Sequence, residues 1–161
     1  MAANLFLDTC ALFKRYVAER GSDTMRAIVG TAEFRGRLFV CERIHGEILS
    51  SFGNAFRKRR LDKKAYRTAC REFYSHYPSI FGVVEDNESI REDSIQILSK
   101  YYRIGITHPD ATHLAAQTYL ARALPDPNLT LVTSDGGLKA VARRRRVPIF
   151  DPETDRLTDI L

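Results

Sequence analysis

The sequence predicts an α/β protein: a short, mostly parallel sheet of about five strands, covered by helices on both faces. Two patterns predict it. Short apolar runs without polar alternation recur along the chain, as in strands buried on both faces, and helical periodicity fills the gaps between them. Such alternation argues for parallel strands joined by right-handed crossovers. A third observation is size: 161 residues with 44% hydrophobic content suit one domain, residues 1–161, with a proper core.

The elements follow in order. Asn4–Leu7 is the first strand, an apolar run that delivers Asp8 and turns at once into a helix over Ala11–Val17. A second helix over Ser22–Gly30 precedes a strand at Arg37–Val40. Two long helices follow, Arg43–Arg59 and Asp62–His76, and then a strand at Ile80–Val84. Helices over Asn87–Tyr102 and Pro109–Leu120 lead to a strand at Leu129–Thr133, a helix at Gly136–Arg144 and a last strand at Pro148–Phe150. Pro109 suits the first turn of its helix, where its missing N–H costs nothing. No repeat, low-complexity tract or Pro/Gly/Ser-rich linker interrupts the pattern.

Composition narrows the function classes. No apolar stretch approaches the ~20 residues that span a bilayer, and no basic, then apolar, leader is present, so the expectation is a cytoplasmic protein without a membrane partner. Cys10, Cys41 and Cys70 are odd in number and lack a C-x-x-C pair, which encodes neither a disulfide framework nor a zinc site. Lys and Arg number 25 against 20 Asp and Glu, a net charge of +5 that favours a polyanionic partner. The basic residues are clustered as RKRR at 57–60, Lys63-Lys64, and RRRR at 143–146. Each run reads equally as a solvated face.

Ligand sites in parallel sheets lie outside the carboxyl ends of the strands. Asp8 occupies such an end, Asp135 sits at a similar junction in LTLVTSDGGLKAV, and Asp110 opens a helix in THPDATHLAAQ. Each alone reads as a helix cap. Doubly wound topology, however, gathers such helix starts along one edge of the sheet. A fourth acid is harder to explain as a cap. In ERIHGEILSSFGNAFRKRR the apolar stripe is Ile44, Ile48, Phe52, Ala55 and Phe56, and Glu47 borders it. Ser51, Asn54 and Lys58 continue that border as a polar seam that ends in the basic run.

Carboxylates brought together repel, and proteins that keep them together usually do so to bind a hard cation. Mg²⁺ or Mn²⁺ takes oxygen ligands and substrate phosphates, and activates water toward a phosphodiester. Acids for a metal and cations for phosphate together suggest a nuclease.

The motifs LDTCALFKRY, HGEILSSF, HPDATHLAAQ and LVTSDGGLKAVA, in this order, resemble the PIN domain, in particular the small toxin ribonucleases of the VapC type. The resemblance runs from about residue 4 to 151. It implies a PIN-like three-layer α/β/α sandwich in which Asp8, Glu47, Asp110 and Asp135 form a catalytic and metal-binding site for Mg²⁺- or Mn²⁺-dependent cleavage of RNA. It places Thr9 and Thr133 beside the carboxylates. His113, close to Asp110 in sequence, is a candidate to support the site. Arg57, Lys58, Arg59 and Arg60 are expected to track the RNA backbone. Two departures stand out: Cys10 replaces a small polar residue, and Gly136-Gly137 follow Asp135 where a longer side chain is frequent. The resemblance also implies homodimerisation and a cognate antitoxin, as in VapBC-type pairs. A housekeeping RNA-processing nuclease, or a catalytically silent RNA- or protein-binding module, are the alternatives.

Other chemistries fit less well. His45-Gly46-Glu47 matches half of a zinc-deaminase signature, but the P-C-x-x-C half is absent. A phosphatase with an aspartyl nucleophile would place a second Asp at position 10, which is Cys. A metal-free nuclease would pair two histidines as acid and base, and His45, His76, His108 and His113 show no such pairing.

Overall fold

A computed structural model describes residues 2–125 and 128–161. Its centre is a five-stranded, all-parallel sheet in the order β3-β2-β1-β4-β5, formed by β1 (Asn4–Leu7), β2 (Leu38–Cys41), β3 (Gly82–Val84), β4 (Leu129–Val132) and β5 (Ile149–Phe150). The chain winds from β1 outward through β2 to β3, then returns to the other side of β1 for β4 and β5. Strand order therefore reverses between β1 and β4, which is where ligands of such sheets bind.

The strands are apolar on both sides because both sides are covered. Leu5, Leu7, Val40, Val132 and Phe150 face one core, which they share with α1 (Thr9–Tyr16), α2 (Ser22–Gly30), α3 (Ile44–Arg57) and α4 (Lys63–Ile80). Phe6, Cys41, Leu129 and Leu131 face the opposite core with α5 (Glu88–Lys100), α6 (His108–Ala123) and α7 (Gly136–Arg144). This alternation along each strand produces the PIN-like three-layer sandwich that the motifs predicted. Register is set by parallel pairs such as Leu5↔Leu38 and Leu7↔Val132. Gly82 lies opposite Phe39, where a Cβ would approach the ring to 2.7 Å, so any larger residue there would have to displace the Phe39 ring.

The main departure from the sequence expectation is at α4. Periodicity predicted a helix ending at His76 and a strand beginning at Ile80, whereas the helix runs to Ile80 and β3 keeps only three residues. Phe73 and Ala69 anchor α4 to the core, and the helix continues past the end that periodicity marks. Among the described residues no helix is long and apolar enough to cross a membrane. All three cysteines are free; Cys41 is buried, while Cys10 and Cys70 are half-buried.

Candidate active site

Asp8 follows β1 directly and is 3% exposed. Its Oδ1 accepts the Ala11 amide at 2.7 Å and so caps α1, while Oδ2 accepts the Thr133 hydroxyl at 2.5 Å and the Cys10 thiol at 3.2 Å. Burial pushes its carboxyl above the usual range, outweighing these hydrogen bonds and the nearby His113. Burial and the Asp8 charge also push the Cys10 thiol up, which keeps it a hydrogen-bond donor.

The remaining acids are held in comparable ways. Asp135 caps α7 through Oδ1, which accepts the Leu138 amide at 2.6 Å, and its own amide donates to Thr133 at 3.0 Å. Thr133 thus joins the acids that follow β1 and β4. Asp110 forms a reciprocal capping box at the start of α6, its Oδ2 accepting the Thr107 amide at 3.0 Å and hydroxyl at 2.6 Å. Glu47, in the first turn of α3, uses Oε2 to accept the Thr9 hydroxyl at 2.5 Å and the His113 ring at 2.8 Å. Burial raises the Glu47 carboxyl, but the hydrogen bond and charge of His113 and the bond from Thr9 outweigh it and leave the carboxyl lowered. His113 is 2% exposed, and its other ring nitrogen, Nδ1, is buried with no partner among the described residues. Nε2 carrying the proton is the tautomer that satisfies Glu47.

All four acids line one open cleft of about 880 Å³, together with Thr9, Cys10 and His113. Ser51, Asn54 and Lys58 also line it, so the polar seam expected along α3 forms one wall. The basic run divides. Lys58 and Arg60 reach the cleft, with Arg60 ion-paired to Glu19 at 2.6 Å. Arg57 instead bonds the Asn54 side chain, and Arg59 is exposed in a left-handed backbone conformation at φ 56°.

Some cleft residues escaped the sequence reading. Glu19 lies between α1 and α2 without periodicity to mark it, and is fixed by Lys14 at 2.7 Å and by Arg60, 41 positions away. Arg43 lines the cleft and pairs with Asp86 at 2.7 Å. Next to the site, Asp151 accepts from Ser134 at 2.9 Å and from Lys139, tying the chain after β5 to the turn that carries Asp135. The contacts that bring these groups to the site, Arg60 to Glu19, Asp86 to Arg43 and Ser134 to Asp151, span 17 to 43 positions, so local sequence carries little signal for them.

The four carboxylates are hard oxygen donors, and Glu47 Oε1, Asp110 Oδ1 and Asp135 Oδ2 are without hydrogen bonds among the described residues. This donor set fits Mg²⁺ or Mn²⁺ in chemistry. Among the described residues, however, no three His, Cys, Asp or Glu side chains stand close enough together to hold an ion.

No family model matches the sequence, and no curated protein matches it significantly. Solved structures do match in fold. FitAcB from Neisseria gonorrhoeae superposes with a TM-score of 0.68 at 16% identity, over 94% of this chain and 99% of that one. PAE2754 from Pyrobaculum aerophilum gives 0.62 at 21% identity, over 96% and 93%. VapC20 of Mycobacterium tuberculosis, described as a sarcin-ricin loop cleaving toxin, gives 0.61 at 15% identity, over 84% and 93%. The chain therefore has a PIN-like α/β/α fold. More particularly, it shares that fold with a VapC toxin.

Proposed function

We propose that this protein is a Mg²⁺- or Mn²⁺-dependent endoribonuclease of the VapC type, acting as the toxin of a toxin–antitoxin pair. The observation that carries the proposal is that Asp8, Glu47, Asp110 and Asp135 all line one cleft at the strand-order reversal, with Lys58 on its wall. Asp8, Glu47, Asp110 and Asp135 would hold the ion, which supplies an activated water and charge stabilisation at the scissile phosphate. The remaining roles fall to the chain. Thr9 and His113 fix the Glu47 carboxylate, Thr133 fixes Asp8, and Lys58 offers an ammonium to the substrate phosphate. The VapC20 likeness supports RNA as substrate, and the family resemblance supports a cognate antitoxin and a homodimer.

The purified protein should cleave single-stranded or looped RNA only with Mg²⁺ or Mn²⁺. EDTA, Asp8→Asn or Asp110→Asn should abolish cleavage while far-UV circular dichroism stays native. Activity of Asp8→Asn protein in EDTA would sink the metal mechanism. A silent RNA-binding module is the second reading, favoured by the lack of three converging donors among the described residues. RNA binding with no cleavage under any divalent metal would select it. A housekeeping nuclease would instead cleave with no antitoxin gene beside its own.

A further inference from the structure

Beyond the cleft, we propose that the outer face of α4 is a second RNA-binding surface, which holds the backbone of a substrate extending past the catalytic cleft. The proposal rests on the nuclease reading for the identity of the RNA, not for the surface. Lys63, Lys64, Arg67 and Arg71 line a groove of about 410 Å³ with Thr68. Spacings of four residues bring Lys63, Arg67 and Arg71 onto neighbouring turns, each about 6 Å further along the axis. All four cations are exposed, and none has an ion-pair partner among the described residues.

Like charges at this spacing repel within a helix, so the arrangement favours an anionic occupant over an empty groove. The helix does carry an acid, Glu72, but it turns to Arg15 at 3.5 Å. Tyr74, 53% exposed, follows Arg71 by three residues and extends the stripe with an aromatic face. Cations that track phosphates beside a ring that stacks on a base are the elements of single-strand binding. Against an acidic protein or a lipid headgroup, the RNA reading is favoured because a base supplies a π-face for Tyr74 in register with phosphates at the cations' spacing. The surface also lies next to the cleft in the chain: Lys58 and Arg60 at the cleft precede Asp62, which caps α4 through the Ala65 amide. Phe56 and Tyr66, with ring centroids 5.6 Å apart, hold the two helices together at this corner.

The test measures equilibrium binding of the full chain to a hairpin RNA with single-stranded flanks, in EDTA so that nothing is cleaved, across a salt series. Replacing Lys63, Arg67 and Arg71 together with Ala should lower the slope of log K against log salt by roughly 2, at about 0.7 per phosphate contact on a single strand. Tyr74→Ala should weaken binding without changing the slope, because stacking releases no counterions. The triple variant should melt no lower than wild type, since it removes only exposed, mutually repelling charges. An unchanged slope in the triple variant overturns the proposal. So does displacement of RNA from wild type by polyglutamate or by phosphatidylserine vesicles at matched charge, which would assign the surface to an acidic protein or a membrane. Cleavage by wild type in Mg²⁺ is scored separately. Cleavage with an unchanged slope refutes only this surface, and an α4-dependent slope without cleavage refutes only the nuclease.

Discussion

Asp8 shows what placing a carboxylate beneath a cleft costs. Its raised proton affinity comes first from burial, and the other acids of the cleft are not among its causes, so desolvation rather than mutual repulsion dominates here. The sign follows from linkage: a carboxyl raised in the folded state destabilises the fold when ionised. That penalty is absent below the unfolded value of about 3.8 and grows as pH rises through and above it. Asp8→Asn removes the charge but also loses an acceptor for Thr133, a loss present at every pH. The stability of Asp8→Asn relative to wild type should therefore improve between pH 3 and pH 7 in metal-free buffer. Urea titrations at the two values would measure it, and a constant difference would mean that Asp8 is not burdened by its burial.

At the scale of elements, the site is assembled from helix starts. Asp135 caps α7 through one oxygen, so Asp135→Ala should cost about 1 kcal/mol of stability, whereas Asp135→Asn keeps the acceptor and should cost far less. Both should lack nuclease activity, which separates the two roles of one residue; an active Asp135→Asn enzyme would confine Asp135 to capping. The α3–α4 corner permits a similar division. Lys58 lines the cleft and Arg59 does not, so Lys58→Ala should lower the salt slope of RNA binding by roughly 0.7 and Arg59→Ala by less. Equal effects would mean that RNA follows the whole run rather than the cleft wall. The acids and the seam from Glu47 to Lys58 were legible in sequence because each rests on a local rule: a cap after a strand for Asp8 and Asp135, an acid in a helix's first turn for Asp110, and a stripe beside a packed stripe for Glu47. Glu19, Arg43 and Asp151 were not, because the contacts that bring them to the site, with Arg60, Asp86 and Ser134, come from far along the chain.

For the whole molecule, the strand alternation was legible, and with it the sheet and both cores. The length of α4 was not, because it depends on tertiary packing, by Phe73 and Ala69 among others, that local periodicity does not report. Metal binding to the folded cleft alone should stabilise the molecule by mass action, about 2.7 kcal/mol when Mg²⁺ reaches a hundredfold its dissociation constant. For a chain of this length that amounts to a rise in Tm of several degrees. The rise should be much smaller for Asp110→Asn, and differential scanning calorimetry would record it. Equal shifts in both proteins would mean that Mg²⁺ binds away from the cleft.

The carboxylates that cap helices also bear on how such a chain changes over generations. Asp8 and Asp135 each receive a backbone amide through one oxygen, which asparagine retains. Aspartate and asparagine codons differ by a single base. If the proposed activity harms the cell that makes it, a single transition at either codon is a genetic escape that silences the chemistry and leaves the fold in place. Among survivors that still make full-length, folded protein, Asp→Asn at these positions should be enriched, for the same atoms that close the helices make the loss of activity a smaller step than the loss of the fold.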